Sequence, residues 1–226
     1  MVKAVLRLSV FVLCALLGAV SVWLNRSLRH VELPQPRSAQ KINFSEDISE
    51  ESEAVYQSVL DQNFAQDGAK LLVIEDETTG CPMYEDPEIR IKFGPETKSF
   101  AEIVSEKMQS AETSTIENYL ERNKISEKIA IHTNVGSKYL LVGKKELASV
   151  FRKGEFDMGW TRFYKKYPDS TGLIFFSKVG FSSDHNQAML YAGRQCGGLC
   201  GSGSYLLLNK RNGKWVVEKD MGLWVS

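Results

Sequence analysis

Hydrophobic positions are concentrated first at the N-terminus of the chain. Residues Leu8 to Leu24 form an apolar run without a charged residue, and Lys3, Arg7, Arg26 and Arg29 flank it. At 1.5 Å per residue such a run makes a helix of about 25 Å, near the lower limit for crossing the hydrocarbon core of a bilayer. Because the run is apolar on all faces, a buried helix of a soluble protein explains it poorly. We therefore expect a hydrophobic N-terminal helix whose partner is the membrane.

Residues 1–29 as a whole predict a targeting segment, and two outcomes stay open for it. A basic start followed by an apolar stretch is common to an uncleaved signal anchor and to a cleaved signal peptide. Ala19 to Ser21 supply small residues for cleavage, whereas Trp23 and Leu24 lengthen the apolar end and favour the anchor. We expect the remainder of the chain to lie outside the cytoplasm. It is either held at the cell envelope by a single-pass anchor or released as a secreted or periplasmic protein.

A tether and one long domain are predicted after this segment. Residues 30–45 include Pro34 and Pro36, which favour an extended connection. Residues 46–226 carry helical and strand periodicity and predict a single domain. One helix is predicted to begin with Asp47 as its cap, a second to begin at Ser99, and a third to begin with a capping box at Ser114. Two further helices are predicted at 144–151 and 160–167. Strands are predicted at 70–74, 129–132, 138–142, 172–181, 187–193, 204–211 and 214–225.

Four aromatic residues form one face of the helix predicted at 160–167. Trp160, Phe163, Tyr164 and Tyr167 recur at positions i, i+3, i+4 and i+7, which is one stripe over two helical turns. Such a stripe would also suit a platform for a carbohydrate or an aromatic ligand. Aromatic side chains are more often buried, so we assign the stripe to the core.

The C-terminal third predicts an antiparallel β-meander. Its four apolar runs are separated by short connections, and short connections force consecutive strands to pair antiparallel. Asn212 and Gly213 lie between two of these runs and are typical of a type I′ hairpin turn, which needs positive φ at both central residues. We therefore predict an α+β fold in which helices pack on one face of this meander.

The motifs of the same region also resemble a known group of proteins. They are W-x-x-F-Y-x-x-Y-P-x-S-x-G from Trp160 to Gly172, S-K-V-G-F from Ser177 to Phe181, C-G-G-L-C-G-S-G from Cys196 to Gly203, and N-G-K-W-V-V from Asn212 to Val217. This pattern resembles an uncharacterised group of exported bacterial proteins and covers roughly residues 156–226. The resemblance implies a bacterial, extracytoplasmic setting and carries no activity with it.

Composition and charge narrow the range of partners. The chain of 226 residues is 43% hydrophobic and 25% charged, which is enough to bury a core. Lys plus Arg and Asp plus Glu both number 28, so the formal net charge is zero. A nucleic-acid-binding protein usually carries a clustered basic excess, and the C-terminal half shows none. We expect no nucleic-acid partner.

Two of the four cysteines predict a disulfide. Cys196 and Cys200 flank a glycine-rich turn that lets their Cα atoms approach to roughly 4.4–6.8 Å, and an oxidising compartment favours the bond. A bridge from Cys81 to one of them stays open, because connectivity cannot be read from sequence. Three other interpretations of this loop remain: a redox-active pair, a metal site completed by His185, and a cradle of backbone N–H groups around a ligand.

Candidate catalytic residues are few. His132 ends a predicted strand, and His185 follows Asp184 in a polar turn, where a role in the turn itself is the simpler interpretation. Neighbouring residues on a strand point to opposite faces, so Asp184 and His185 would not form a catalytic dyad there. The carboxylates of Glu75 and Glu77 are interpreted as solvated. An envelope hydrolase or thiol enzyme that uses His185 or His132 is therefore kept as an alternative.

The most economical functional hypothesis is a non-catalytic binding or interaction module at the cell envelope. A structural domain that binds a partner without a ligand pocket is a further alternative. We expect no cofactor and no metal, and the contact surface is predicted as a rim formed by residues 182–186 and 195–203, since exposed loops carry most binding residues. The candidate residues are Asp184, His185, Arg194, Gln195, Gly197, Gly198, Gly201 and Gly203.

Overall fold

A computed structural model describes residues 44–65, 70–82, 98–131, 138–152 and 156–226. The hydrophobic segment Leu8 to Leu24, nearly all of the predicted tether and His132 lie outside these ranges. Among the residues within them, no helix is long and apolar enough to cross a membrane.

The described part combines five α-helices with a mixed seven-stranded sheet, which confirms the α+β class. The helices are α1 Phe44–Val59, continued by a π-helical turn Leu60–Phe64, α2 Phe100–Lys107, α3 Thr113–Arg122, α4 Lys144–Val150 and α5 Phe156–Lys166. The strands are β1 Leu71–Glu75, β2 Lys138–Val142, β3 Ser170–Phe176, β4 Gly180–Phe181, β5 Gln187–Gly197, β6 Cys200–Arg211 and β7 Lys214–Val225.

The predicted meander is present as β3, β5, β6 and β7, which lie side by side in that order and pair antiparallel. The turn between β6 and β7 has φ of 51° at Asn212 and 75° at Gly213. These are the positive values that a type I′ turn requires. The run predicted as one strand at 172–181 is interrupted, because Ser177 to Val179 separate β3 from β4.

The other half of the sheet is parallel, which the sequence pattern did not predict. β1 lies between β2 and β3 and is parallel to both. The strand predicted at 129–132 is wrong for its described residues, since Ile129 to Ile131 form no strand and only the neighbouring Lys128 makes a bridge, to Glu77.

Helices cover both faces of the sheet, so the prediction that they pack on one face is wrong. Val59 of α1 shares a core cluster with Leu190 of β5. Tyr119 of α3 shares a different cluster with Met189, which points to the opposite face of the same strand. Because both faces of the sheet are covered, the run from Ala188 to Ala192 is buried at every position.

Two predicted helix starts are also corrected. α1 begins at Phe44, so Asp47 lies inside the helix rather than at its cap, and the helix starts within the predicted tether. α3 begins at Thr113 with Glu112 at the N-cap, and no side chain there makes a capping hydrogen bond. The start of α2 agrees with the prediction, because Ser99 forms a reciprocal capping box with Glu102.

The aromatic stripe belongs to the core, as predicted. Trp160 and Phe163 of α5 and the following Tyr167 are buried, and they pack with α4 against Val73 and Leu173 of the parallel half of the sheet. This packing explains the stripe without an aromatic or carbohydrate ligand.

Candidate functional site

The two halves of the predicted contact rim lie at opposite ends of one strand. Residues 182–186 precede β5, whereas residues 195–203 contain its last residues and the start of β6. β5 has 11 residues, so its first and last Cα atoms lie about 33 Å apart at 3.3 Å per residue. Asp184 and His185 are therefore not brought together with Arg194 and Gln195, and no single rim joins them.

The turn at 182–186 is held by Asp184. Its Oδ1 accepts hydrogen bonds from Ser182 Oγ at 2.7 Å and from the Asn186 backbone N–H at 3.1 Å, and its Oδ2 accepts one from Asn186 Nδ2 at 2.9 Å. The bonds from Asn186 and Ser182 lower the pKa of Asp184 to about 2. The carboxylate thus stabilises its own turn, as Asp does in many turns.

His185 connects this turn to α1. Its Nδ1 lies 2.7 Å from Glu51 Oε2, and its ring stacks on Phe181 with centroids 5.4 Å apart. Lys210 also donates to Glu51 and lies 4.8 Å above the ring of Trp215. The His185–carboxylate contact that a hydrolase would need is therefore shared with a lysine and holds a helix against the sheet. These contacts of His185 are explained without catalysis, and the hydrolase alternative stays a prediction.

Replacing Glu51 by glutamine is expected to remove an acid-sensitive part of the stability. Burial raises the pKa of Glu51, but the hydrogen bonds and charges of Lys210 and His185 outweigh burial and bring the pKa below its usual 4.5. A carboxylate of this kind stabilises the fold above its unfolded pKa, and the contribution is lost as the pH falls through the folded value. At neutral pH the free energy of unfolding of the wild type should exceed that of Glu51→Gln by about 1 kcal/mol. The difference is no larger because solvent screens the partly exposed carboxylate.

Urea unfolding at a series of pH values measures this difference, which should shrink as the pH falls below 4.5. The variant Glu50→Gln removes the same charge from an exposed position of the same helix and serves as the control. A difference between wild type and Glu51→Gln that does not change with pH would contradict the assignment.

The second half of the predicted surface is a hairpin closed by a disulfide. Cys196 and Cys200 are bonded, with Cα atoms 5.0 Å apart, which confirms the predicted pair. Closing so short a loop stabilises the fold by about 2 kcal/mol in the chain-entropy estimate. Cys81 is buried outside any disulfide, with its Sγ 3.1 Å from the Tyr205 hydroxyl, so it does not bridge to the hairpin. The proposed metal site is wrong as well, because His185 lies at the other end of β5.

Most of the glycine-rich segment is strand rather than loop, since only Gly198 and Leu199 form the turn between β5 and β6. A Cβ at Gly203 would lie 2.3 Å from the Tyr191 hydroxyl, and one at Gly201 would lie 3.0 Å from the ring of Trp224. These glycines let aromatic side chains cross the strand closely. Packing therefore explains them without a backbone cradle for a ligand.

The exposed apolar groups at this end were not among the predicted site residues. Leu199 at the tip of the hairpin is 92% exposed, and Val225 at the end of β7 is 80% exposed. The two lie on neighbouring segments, because Ser226 donates its backbone N–H to the Gly201 carbonyl at 3.0 Å. Leu199 stands inside the C-G-G-L-C motif, so an apolar residue at the centre of a disulfide-closed turn was the available signal.

A shallow recess of about 110 Å³ lies beside the hairpin on the face that α1 covers. It begins where the π-helical turn ends, at Asn63 and Phe64, and the sheet contributes its floor. The polar side chains of this floor come from Arg194, Ser202, Ser204 and Asp220. On the other face, the Tyr164 hydroxyl donates to the Cys196 carbonyl at 2.8 Å and fastens the hairpin to α5.

Within the described part of the chain, no group of three or more His, Cys, Asp or Glu residues is placed to hold a metal ion. Searches of protein-family models, of curated proteins and of solved structures found no match to the chain.

Proposed function

We propose that the chain is a non-catalytic binding module displayed at the cell envelope, and that it contacts another protein through its hairpin end. The hairpin end consists of residues 194–203 together with Val225. The apolar segment Leu8 to Leu24 supports the envelope setting. The observation that carries the binding role is Leu199, which a disulfide holds at 92% exposure.

A constrained, exposed leucine suits protein recognition for energetic reasons. Burying a leucine side chain contributes about 1.5–3 kcal/mol, and a disulfide-closed turn has little conformational entropy left to lose when it binds. A flexible loop with the same residue would lose part of that gain. The fixed hairpin therefore favours a partner that offers a preformed apolar pocket for Leu199.

The surroundings of Leu199 support a mixed interface rather than a purely apolar one. Arg194 and Asp220 contribute opposite charges to the recess beside the hairpin. Apolar anchors within a polar border are the usual anatomy of an interface between separately folded proteins. The partner expected is thus a folded protein with an apolar pocket and polar groups around it.

A photoreactive amino acid in place of Leu199 tests this proposal in the native host. We expect one discrete, light-dependent adduct that carries this chain and one partner. The same amino acid in place of Ile125, which is 74% exposed between α3 and β2, is the matched control and should give no such adduct. Fractionation of the same cells checks the envelope location.

Two results would reject the proposal. Identical adduct patterns at Leu199 and at Ile125 would mean that the hairpin has no preferred contact. An adduct that forms equally well after Val225→Asp is introduced beside the photoreactive residue would mean that the apolar tip does not take part.

A further inference from the structure

A polar cleft lies at the carboxyl ends of the parallel strands, and its lining contains none of the residues predicted to form the contact rim. β1 is central among three parallel strands, and its last residue, Glu75, pairs in register with Val142 at the end of β2. Ligands commonly bind outside the carboxyl ends of parallel strands, where the following loops diverge. The cleft has a volume of about 260 Å³. Its lining comprises Glu75, Glu77, Thr78, Thr79, Gly80, Asn123, Lys124, Ser126 and Lys144.

One wall of the cleft is held rigidly on both sides. The segment after β1 bonds to the segment after α3, through Thr78 N–H to the Glu127 carbonyl at 2.8 Å and Glu127 N–H to Thr78 Oγ1 at 2.9 Å. It also bonds to the end of β3, through Thr79 N–H to the Phe176 carbonyl at 2.8 Å. The wall is therefore formed before any ligand arrives, which lowers the entropic cost of binding.

The charges around the cleft leave one carboxylate unbalanced. Lys144 pairs with Glu77 at 2.8 Å, and Lys128 pairs with Asp76 at 2.7 Å. Lys124 pairs with Glu121. The side-chain carboxylate of Glu75 makes neither a hydrogen bond nor an ion pair with any residue in the described ranges. A half-buried carboxylate without a partner is costly to keep unless something else supplies the missing contact.

The environment of Glu75 agrees with this account. Burial raises the pKa of Glu75, Lys144 opposes the rise, and the carboxylates of Glu77 and Asp76 add to it. A cation that entered the cleft would offset both the cost of burying the Glu75 charge and the repulsion between the carboxylates.

We propose that this cleft binds a small organic cation with a primary ammonium group, and that Glu75 receives the ammonium. An ammonium group has three N–H donors, and the hydroxyls of Thr79 and Ser126 lie among the remaining lining groups that offer acceptors. A divalent metal ion fits less well, because no group of three or more His, Cys, Asp or Glu residues in the described ranges is placed to hold one. The volume of the cleft restricts the ligand to a small molecule.

Titration of isotope-labelled full-length protein with 2-aminoethanol tests the proposal by NMR. We expect saturable shifts of the backbone amides of residues 75–80, with a dissociation constant on the order of 1 mM for so small a ligand. Ethylene glycol, which lacks the charge, and choline, which lacks N–H donors, should bind at least tenfold more weakly, as measured from the shifts of the same amides. Magnesium chloride should not displace 2-aminoethanol at equal concentration.

Two variants make the test specific to Glu75. Glu75→Gln keeps the shape of the side chain and should weaken binding at least tenfold, whereas Glu106→Gln on the exposed face of α2 should leave it unchanged. Lys144→Met removes a competing cation and should tighten binding several-fold. Equal binding of the neutral analogue, unchanged binding by Glu75→Gln, stronger binding of magnesium or the absence of shifts would each overturn the proposal. None of these outcomes bears on the hairpin end, which lies elsewhere.

Discussion

Phe163→Ala is expected to lower the free energy of unfolding by about 3–5 kcal/mol, the usual loss when a buried phenylalanine is truncated. Phe163 is 0% exposed and lies at the centre of the aromatic cluster between α4, α5 and the sheet. Its ring centroid lies 5.0 Å from that of Tyr167, 5.2 Å from Trp160 and 5.8 Å from Phe151. Truncation would leave a cavity bounded by rings that cannot collapse into it. Urea unfolding followed by tryptophan fluorescence measures the loss.

Met158→Ala is the matched control, because Met158 stands on the same helix and is 58% exposed. Methionine and alanine have similar helix propensities, so the change should stay within about 0.5 kcal/mol. If Phe163→Ala were equally mild, the stripe would not be core. The interpretation as a ligand platform would then have to be reopened.

The parts of the fold that the sequence predicted are those with a local cause. Asn212 and Gly213 impose a particular turn on the chain, and the two strands that they join must then pair antiparallel. The helix predicted from Ser99 likewise begins there, because Ser99 and Glu102 form a capping box within four consecutive residues. In each case the residues that decide the structure are close in sequence, so a short window contains the whole reason.

The parallel half of the sheet has no such local cause. β1 pairs with β2 from Leu71 opposite Lys138 and with β3 from Leu71 opposite Ser170, so its partners lie far along the chain. Each strand could be recognised from its apolar run, but neither run specifies a partner. The prediction that helices cover only one face could have been avoided from the sequence. The unbroken apolar run at 188–192 indicates a strand that is buried on both sides.

The site errors follow from how glycine and acidic residues were interpreted. Glycines at 197–203 suggested a long loop, whereas Gly201 and Gly203 lie in β6 and make room for Trp224 and Tyr191. The prediction of a single rim also overlooked the strand predicted at 187–193, which already separates the two loops. Glu75 is interpreted as solvated because acidic residues near turns usually are, although it is the last residue of a central parallel strand.

The two ends of β5 consequently have different roles. At its start, Glu51, His185 and Lys210 hold α1 against the sheet. At its end, the disulfide and the Tyr164 hydroxyl fix an exposed turn from which Leu199 projects. The exposed end of β5 is thus held as firmly as the packed end, and this rigidity supports the recognition role proposed for the hairpin.

A single methyl group at Gly180 should be nearly as damaging as the loss of a phenyl ring at position 163. A Cβ at Gly180 would lie 2.4 Å from both the backbone N and the Cα of Tyr119 in α3. The obstacle is helix backbone rather than the end of a flexible side chain, so α3 itself would have to move. We expect Gly180→Ala to lower the free energy of unfolding by about 3 kcal/mol, the upper end of the usual range for overpacking.

Gly222→Ala is the control for this prediction, because Gly222 is also a strand glycine and no atom lies within 4 Å of its Cβ position. It should change the free energy of unfolding by no more than about 0.5 kcal/mol. The melting temperature of Gly180→Ala should fall by about 6–12 °C, while that of Gly222→Ala should stay near wild type. Equal melting temperatures for the two variants would show that α3 does not pack on β4 as closely as described. The backbone of Phe181, which donates to Asn118 Oδ1 at 2.9 Å, would then need a different explanation for its position.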